Sequence, residues 1–580
     1  MPDIKQMKRR YLLRTLDPAP VELLSKTCDY DVVVVGTGLA GSVLAAALTM
    51  QHKRVLHIDR NDWYGELDAS LNIRELDSWT KNAPSGVEIH SATSLESFEL
   101  EVDQLVVIQP YGQGVIQQIQ PLIIQFNGFN IYCGTQQGVI PLNHVKLRNL
   151  LENARINRAC ALNLSGPGVL LSQGTAVSTL LTSKVCDYVE FKPLPTIQVC
   201  LEGELVKVPC NKGDVFTSNL LQPLEKRSLM KLLQLSIEYN AHIEQASVDQ
   251  FNERTLQIKG SSLKRPQNKR ANTSFDQVLH CIEKGSTFLD YLQSNYKFHE
   301  NQQAVILHAL AMSLQSSTLS LHDGLTKLNT HVNSLGTFGS TAFIVPLYGT
   351  GELAQAYCRK AAVLGATYML RQQIKSIDSY NLTLQSDDEQ IVVSARKVVQ
   401  CTYGPTLHRI SLCFGSASPS IVLIPPSDQH DAIYVNILNH ETLVCPLFYH
   451  VIHMTTTQSK ISANVESVLK NALKQVISTT DELYHVTFST KQSDPLHPQI
   501  LTVPSPSPAL SMDPIIDQAK TAFEMLYPDL KFMDMAASLK SEIQPPETVP
   551  DDEAQVLSTA MDFLKSPSQE EDDATLDNYD

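Results

Sequence analysis

The stretch from Asp29 to Met50, DYDVVVVGTGLAGSVLAAALTM, decides the fold. Its residues Val32–Val35 form a β-branched run, which is typical of a buried parallel strand. Three glycines follow at G-x-G-x-x-G spacing, and the apolar residues Leu39–Met50 continue as a predicted helix. The glycines are Gly36, Gly38 and Gly41.

A second strand follows the helix at KRVLHIDR, residues 53–60. It ends in an acid, Asp59, at about the distance from the glycines of a group that contacts a ribose. Strand, glycines, helix, strand and acid therefore occur in the order of a βαβ unit. We predict an α/β fold whose main domain is Rossmann-like, of the FAD/NAD(P)-binding type.

The next loop, DRNDWYGELDAS, argues against a bound dinucleotide. FAD proteins of this class carry two glycines there, whereas this chain has Gly65 followed by Glu66. A carboxylate repels a pyrophosphate unless it points away. The 165 residues after Gly415 contain no glycine, although close approach of backbone to a flavin favours that residue. We therefore predict that the glycine motif is vestigial and that the protein uses no cofactor.

Length and composition indicate a globular protein with more than one core. A chain of 580 residues with 43% hydrophobic residues predicts two or three packed units. Its eleven cysteines have no C-x-x-C or paired Cys/His spacing, so we expect reduced thiols and no metal site. No apolar run reaches about eighteen residues. We expect a cytosolic protein.

The net charge of −15 is unevenly distributed. Residues 541–580 hold twelve acids and one lysine, a charge of −11, which predicts a disordered acidic tail. Such a tail either keeps the chain soluble or binds a partner, and the sequence leaves both open. The remaining charge near −4 argues against nucleic acid as the main partner.

The pattern of elements predicts a discontinuous α/β domain interrupted by a smaller, all-helical one. Gln104–Val145 contains no charged residue and is treated as an insertion. The predicted parts are an N-terminal tail 1–28, a first α/β part 29–205 with the insertion at 104–145, a helical domain 206–338, a second α/β part 339–530 and an acidic tail 531–580.

Four amphipathic patterns make up the predicted helical domain. They are PLEKRSLMKLLQLSIEY, SFDQVLHCIEKGSTFLDYLQ, QQAVILHALAMSLQ and LSLHDGLTKLNTHVNSL. In the first, helical spacing relates Leu224, Leu229, Leu232, Leu233 and Ile237. His280 and His308 lie within the patterns without an acid or cysteine at metal spacing, so both are read as core or flanking residues.

A later stretch, VPLYGTGELAQAYCRKAAVLGATYMLR at residues 345–371, predicts a turn, a helix from about Glu352, a turn at Gly365 and a strand. It closely resembles the PLYG-x-GELPQ…R…GGTY signature of the Rab GDP-dissociation inhibitor and Rab escort protein family. The opening block DVVVVGTGL…VLHIDRNDWYG and the segment CDYVEFK, Cys186–Lys192, resemble two further blocks of that family. The resemblance covers roughly Asp29–Asp529.

The resemblance implies which residues contact a GDP-bound Rab GTPase. They are Tyr64, Glu352, Arg359, Thr367 and Met369. As an acid at a helix N-terminus, Glu352 also complements the helix dipole, and the two roles are compatible. This chain departs from the signature at Ala354, where the family has Pro, and at Ala366, the second position of its Gly-Gly pair. Ala366 matters only if that position needs a positive φ.

The segment VPCNKGDVFTSNLLQPLEKRSLMKLL favours the escort branch of the family. Escort proteins carry an exposed Phe followed eleven residues later by Arg, and the pair docks on Rab geranylgeranyltransferase. This spacing is met by Phe216 and Arg227. Inhibitors lack the Phe. The segment LDSWTKN around Trp79 and the acidic tail also resemble the escort branch. The alternative is that Phe216 packs within the helical domain.

An escort role also implies a shelter for lipid. Burying a twenty-carbon geranylgeranyl group is worth on the order of 15 kcal/mol, at ~0.8 kcal/mol per CH₂. We expect an apolar groove between the helices of the second domain. The candidates that would line it are His308, Ala309, Ala311 and Met312. Core packing is the alternative reading of each.

The resemblance thus implies an accessory protein without bond chemistry of its own. It would present newly made Rab to the transferase heterodimer, shelter the geranylgeranyl groups and deliver Rab to membranes, with transient membrane contact. A Rab GDP-dissociation inhibitor that recycles prenylated Rabs is the first alternative. A flavin-dependent, amine oxidase-like enzyme is the second, because it has the same fold.

Overall fold

The structure is a computed structural model of the whole chain. The residues it describes are 29–84, 86–93, 107–110, 124–126, 129–132, 160–166, 168–210, 223–258, 273–296, 298–314, 318–378, 381–386, 389–415, 417–457, 465–477, 482–492, 497–506 and 509–534. The predicted N-terminal tail, the predicted acidic tail from residue 535 onward, Phe216 and most of the insertion 104–145 lie outside them.

The strands alternate with helices at both ends of the chain. They are β1 Asp29–Val35, β2 Val55–Ile58, β3 Ser70–Leu71, β4 Val87–Ala92, β5 Val107–Pro110, β6 Ile124–Phe126, β7 Phe129–Tyr132, β8 Leu162–Asn163, β9 Leu170–Leu171, β10 Phe191–Pro193, β11 Thr196–Leu201, β12 Glu204–Lys207, β13 Phe343–Pro346, β14 Thr367–Met369, β15 Gln373–Asp378, β16 Asn381–Gln385, β17 Gln390–Cys401, β18 Thr406–Phe414, β19 Ser420–Ile424, β20 Ile433–Asn439, β21 Tyr449–Thr457, β22 Glu482–Thr490 and β23 Leu501–Val503.

The α-helices include a contiguous group in the middle of the chain, α4 to α8. They are α1 Leu39–Met50, α2 Ile73–Lys81, α3 Thr175–Ser183, α4 Pro223–Ile258, α5 Thr273–Glu283, α6 Phe288–Asn295, α7 Glu300–Ala304, α8 Leu321–Ser334, α9 Gly351–Val363, α10 Val465–Val476 and α11 Asp513–Leu526.

The first sheet has the predicted parallel βαβ arrangement. Its order is β14-β2-β1-β17-β16-β15, and β23 also pairs with β17. Strands β14, β2, β1, β17 and β23 run parallel, while β16 and β15 form an antiparallel extension. Since β1 and β2 are joined by α1 and pair side by side, the Rossmann-like prediction for the start of the chain is confirmed.

Helix α1 is buried along its whole length, and α9 and α11 both pack against it. Gly41 allows this close packing. A Cβ on Gly41 would overlap the carbonyl oxygen of Gly36 at the end of β1. The third glycine of the motif therefore serves helix–strand packing, as in dinucleotide-binding folds.

A second, larger sheet lies beside the first. Its eight strands follow the order β12-β11-β19-β20-β21-β18-β22-β4. One face packs on α10 and the other faces the helices of the middle segment. Smaller sheets are formed by β10-β13-β9, by β3-β8 and, within the predicted insertion, by β5-β7-β6.

The middle helices differ in detail from the four predicted patterns. Helix α4 extends to Ile258, and its buried stripe includes Leu229, Leu232 and Leu235. The predicted stripe was wrong at Leu224 and Ile237, which are 75% and 38% exposed. The second pattern splits into α5 and α6, because Thr287 and Asp290 form a capping box that starts a new helix.

The third pattern also differs from expectation. It contains the short helix α7, which continues as a π-helical segment at Val305–Leu310. The side chains of this segment are all buried. The hydroxyl of Tyr434 on β20 donates to the carbonyl of His308, 2.9 Å away, and so ties the large sheet to the helices. One hydrophobic core therefore spans both units.

The nine cysteines within the described residues are free thiols. In the same part of the chain, no three His, Cys, Asp or Glu side chains are grouped so that they could hold a metal ion. None of the helices described has both the length and the hydropathy that crossing a bilayer requires.

Candidate functional site

The acid predicted to contact a ribose is engaged within the protein. Asp59 is 1% exposed, and its Oδ2 accepts hydrogen bonds from the Thr37 amide, at 2.8 Å, and from the Thr37 hydroxyl. Its Oδ1 accepts from the amide and side chain of Asn61 at 2.8 and 2.9 Å. Oδ2 thus holds the glycine loop to the end of β2, and Oδ1 holds the loop that follows β2.

Glu66 occupies the space over the first glycine of the motif. Its backbone has a φ of +45°, so the position keeps the left-handed conformation that favours glycine. The side chain points into the loop, and its Cδ lies 2.7 Å from the point where a Cβ on Gly36 would be. The open space above Gly36 is therefore filled by a carboxylate.

Asp68 and Tyr403 complete this filling at the start of α1. The Asp68 Oδ2 accepts from the amide of Leu39 at 2.8 Å and from the Tyr403 hydroxyl at 3.1 Å, and Oδ1 accepts from Ser165 at 2.8 Å. The Tyr403 hydroxyl sits where a Cβ on Gly38 would be. The helix N-terminus, an anion site in dinucleotide-binding folds, is capped by the protein's own carboxylate.

The electrostatics of this cluster oppose an anionic ligand. Burial, and next the nearby Asp59 carboxylate, raise the pKa of Glu66 to about 8. Burial also raises the pKa of Asp68 and of Asp59. The groups that fill the cradle are acids and a tyrosine, so none of them supplies a positive charge to balance the two negative charges of a pyrophosphate.

A cavity of about 120 Å³, partly open to solvent, remains beside the cluster. Its walls include Glu66, Asp68 and Tyr403, and farther in His408 and Phe488. Side chains thus occupy the place that the pyrophosphate of a flavin would take, although a cavity remains next to them. The residues present do not fit FAD or NAD, and no chemistry of such a cofactor is assigned to this chain.

The candidate Rab-contacting residues come from three segments joined by backbone hydrogen bonds. Asp59 N donates to Met369 O at 3.0 Å, and Arg371 N donates to Asn61 O at 3.0 Å. These bonds tie the loop that carries Tyr64 to β14. The Tyr64 ring packs edge-on against Tyr368, with centroids 5.7 Å apart. Tyr64 and the β14 strand thereby share one edge of the first sheet.

Helix α9 supplies the two charged candidates. Glu352 is half-buried in its first turn, and Arg359 is exposed two turns later. The Arg359 guanidinium lies 4.8 Å from the ring centroid of Tyr188, a cation–π contact. Tyr188 belongs to the CDYVEFK segment, whose last two residues are the first two of β10. Two of the three family-like blocks therefore meet at Arg359.

The departures from the family signature leave this geometry intact. Gly365 carries the positive φ of the turn, +98°, whereas Ala366 has no positive φ. Ala354 is fully buried within α9, and the helix begins at Gly351 without a proline. Gly349, with a φ of +93°, makes the preceding turn.

Thr367 and Met369 are placed differently from each other. Thr367 is half-buried on the edge strand β14. Met369 is 6% exposed and packs with Val33, Leu56 and Ile58 beneath the sheet. A direct contact between the Met369 side chain and a partner would require the strand end to shift, so its predicted role stays a prediction.

The other predicted site residues lie in or near the helical unit. Arg227 is exposed on the first turns of α4, beside the exposed Leu224. Phe216 falls outside the described residues. The lipid-groove candidates are 0–3% exposed and belong to the core shared with the large sheet. They do not line an open groove, and a lipid role for them would require the helices to separate.

Several residues that shape the site were missed from the sequence. Asp68 lies two residues after Glu66 in the same loop, and this second acid was the signal in the sequence that could have indicated its role. Tyr403 and Tyr188 had no such signal, because each meets its partner only through the fold.

Fold and site together define a Rossmann-type protein whose dinucleotide cradle is filled by its own side chains. The chain belongs to the GDP dissociation inhibitor family, whose model matches residues 26–93, 133–264 and 268–409.

Relatives and solved structures agree with this assignment. The chain is similar to "Rab proteins geranylgeranyltransferase component A" of Drosophila melanogaster, 26% identical and covering 87% of this chain and 90% of the relative. It is also similar to "Rab escort protein 1" of Arabidopsis thaliana, 24% identical over 90% of this chain and 96% of the relative. The crystal structure of a Rab GDI from Plasmodium falciparum shares the fold, with a TM-score of 0.59 at 18% identity, covering 87% of this chain and 99% of that one.

Proposed function

We propose that this protein is a Rab escort protein. It binds newly made, GDP-bound Rab GTPases, presents them to Rab geranylgeranyltransferase and shelters the attached geranylgeranyl groups until membrane delivery. The observation that supports this most is the full-length similarity to relatives named geranylgeranyltransferase component A or Rab escort protein.

Rab binding is assigned to the face formed by Tyr64, Glu352, Arg359 and Thr367. A preformed face reduces the ordering cost of association, and backbone bonds between the Tyr64 loop and β14 fix its shape. Its groups suit a polar protein surface: an aromatic ring, a carboxylate and a guanidinium held on Tyr188. Met369 supports the strand from below.

Transferase binding is assigned to Phe216 and Arg227. The exposure of Arg227 and of Leu224 one turn earlier supports this, since an arginine beside an apolar side chain is typical of an interface hot spot. We infer that the chain is the accessory component and that the transferase heterodimer supplies metal and catalysis. The filled cradle supports the same inference, because it leaves no place for a flavin pyrophosphate.

Lipid sheltering is assigned to the helical unit. The segment His308–Met312 contains two alanines and begins in the π-helical segment Val305–Leu310, where the regular α-helical hydrogen bonding is already interrupted. Separation of α8 from this segment would expose apolar surface to a prenyl chain. Each geranylgeranyl group buried there is worth on the order of 15 kcal/mol, enough to stabilise an opened arrangement.

Reconstituted prenylation tests the proposal. A GDP-bound Rab, the transferase and geranylgeranyl diphosphate should yield prenylated Rab only when this protein is added. Phe216→Ala should lower transferase capture at least tenfold, and Phe338→Ala, an exposed phenylalanine elsewhere at 53% exposure, should leave it unchanged.

Two outcomes would contradict the escort assignment. A wild-type chain that binds prenylated Rab but neither captures the transferase nor supports prenylation would be a GDP-dissociation inhibitor, the function that gives the family its name. A purified chain with stoichiometric flavin, absorbing near 450 nm, would be an oxidase-like enzyme.

A further inference from the structure

A basic patch lies at the edge of the first sheet where its parallel strands begin. Lys53 and Arg54 precede β2, and Arg396 and Lys397 lie in β17, on the far side of β1. Parallel pairing brings both basic pairs to the same edge. Asp31 of β1 lies between them, with Oδ2 3.6 Å from Arg54 Nε and Oδ1 3.7 Å from Arg396 Nη1.

The two lysines converge on one aromatic ring. Lys53 Nζ is 4.7 Å and Lys397 Nζ 4.1 Å from the ring centroid of Tyr527, which follows α11. Lys397 Nζ also donates to the carbonyl of Leu526, at the C-terminal end of that helix. Among the described residues, no carboxylate lies within ion-pair distance of either lysine.

The patch is positively charged on an acidic protein. Arg54 and Arg396 are 54% and 65% exposed and both contact Asp31, so positive charge at the patch is open to solvent. The chain segment that follows Tyr527 runs alongside, where Gln51 donates to the carbonyl of Lys531 at 3.1 Å. That segment adds Lys531 as well as Asp529 and Asp534. The whole chain carries −15.

The most acidic segment of the chain follows the described residues that lie near this patch. The described residues end at Asp534, seven residues after Tyr527, and residues 541–580 carry −11. The acidic cluster Asp551–Glu553 follows Asp534 by 17 residues, a length that spans up to roughly 60 Å when extended. Attachment so close to the patch gives the acids an effective concentration of about millimolar, which favours them over a separate anion of similar affinity.

We propose that the acidic segment 541–580 of this same chain binds the patch formed by Lys53, Arg54, Arg396, Lys397 and Tyr527. The candidate Rab face lies at the opposite, carboxyl-terminal edge of the strands, so the bound segment would leave that face open. The proposal is independent of the escort function, because it depends only on charges and geometry of this chain.

Zero-length carbodiimide cross-linking of the full chain tests the proposal. At 50 mM NaCl, mass spectrometry should find amide links from Lys53, Lys397 or Lys531 to acids of residues 541–580. Their yield should not change on tenfold dilution and should fall at least fivefold at 500 mM NaCl, because exposed charges are screened. Lys375 and Lys474, exposed lysines on β15 and α10, should give at least fivefold less.

Two variants make the test specific. The tail variant Asp551→Asn/Asp552→Asn/Glu553→Gln should lower the yield of the links several-fold. Lys53→Glu should lower the yield of links from Lys397 and Lys531 to residues 541–580. The control Lys375→Glu/Lys474→Glu should leave that yield unchanged. Equal linking of Lys375 and Lys474, loss of the links on dilution, or none at low salt would overturn the proposal. The proposal would also be overturned if the chain gave no such links but sedimented with phosphatidylserine vesicles in a way that depended on Lys53. In that case the patch would bind a membrane.

Discussion

Glu66 shows how one side chain changes what a fold can bind. Its positive φ keeps the backbone shape of a glycine loop. Its carboxylate covers Gly36 and occupies the space that a phosphate would need. Asp59, Asp68 and Tyr403 then use the remaining donors and acceptors of the cradle. The cradle of this fold therefore holds an internal polar cluster in this chain.

Glu66→Gln should make the protein less sensitive to alkaline pH. The folded-state pKa of Glu66 is raised to about 8 from an ordinary value of 4.5, so its contribution to stability is complete below about 4.5 and is lost as pH rises through 8. At pH 8.5 the variant should exceed wild type by about 1–3 kcal/mol in free energy of unfolding, the cost of an uncompensated buried group. At pH 6 the two should differ less.

Denaturant unfolding at both pH values measures this difference. The exposed Glu190→Gln serves as the control and should show no such dependence. Equal stability of Glu66→Gln and wild type at pH 8.5 would show that the carboxylate is not held in the cradle. Some pH dependence will remain in the variant, because burial also raises the pKa of Asp68 and Asp59.

Tyr188 should act as a positioning residue for Arg359. An exposed cation–π contact is worth about 0.5–1 kcal/mol, so Tyr188→Leu should weaken binding of GDP-bound Rab about two- to fivefold. Tyr188→Phe keeps the ring and should bind like wild type. Dissociation constants from calorimetry, with unfolding midpoints alongside, separate this effect from loss of fold.

The Arg359→Ala background provides the decisive comparison for Tyr188. There, Tyr188→Leu should add nothing, because the group that the ring positions has been removed. Additive losses in the double variant, or an equal loss in Tyr188→Phe, would mean that Tyr188 contributes by some other route.

Strands β18 and β22 enclose a charged pair that stabilises the large sheet only as a unit. Arg409 is 0% exposed, and its Nη2 donates to both carboxylate oxygens of Glu482 at 2.8 and 2.9 Å. Nη1 donates to Thr487 at 2.8 Å, and Ser411 donates to Glu482 at 2.6 Å. Removing Glu482 leaves the buried Arg409 guanidinium without its counter-charge.

Glu482→Ala should therefore destabilise the protein by about 3–5 kcal/mol, since it leaves the Arg409 charge buried. The double variant Arg409→Met/Glu482→Leu should recover most of that loss, because an apolar pair carries no desolvation penalty. Guanidinium unfolding curves provide the comparison. A double variant less stable than Glu482→Ala would show that the loss in Glu482→Ala does not come from the unpaired Arg409 charge.

At the scale of the whole molecule, the two units share one core although the α/β unit is discontinuous in sequence. Leu229 and Leu232 of α4 belong to the same hydrophobic cluster as Ile410 and Tyr434 of the large sheet. The hydrogen bond from Tyr434 to His308 adds a polar tie. The helices and the sheet should therefore not unfold separately.

We predict a single cooperative unfolding transition. Far-UV circular dichroism follows the helices, and fluorescence follows Trp63 and Trp79, both of which pack against the shared core. The midpoints and slopes of the two curves should coincide. An early loss of helical signal with unchanged tryptophan fluorescence would contradict a shared core and would show that the helical unit opens on its own.

The sequence by itself determined the βαβ start, the positive-φ turn at Gly365, helix α9 and the family blocks, because each depends on neighbours within a few turns of chain. It also indicated that Glu66 is wrong for a flavin. Local periodicity misplaced Leu224 and Ile237 and missed the π-helical turn, since the buried side of a helix depends on what packs against it.

Only the tertiary structure decided how the cradle is filled and where the charges gather. Tyr403 meets Asp68 across 335 residues, Arg359 meets Tyr188 across two family-like blocks, and Lys53 meets Lys397 around the ring of Tyr527. Such contacts depend on strand order and helix packing, which no local pattern records. Short-range backbone preference therefore specified the elements, and long-range packing specified the surfaces on which the proposed functions depend.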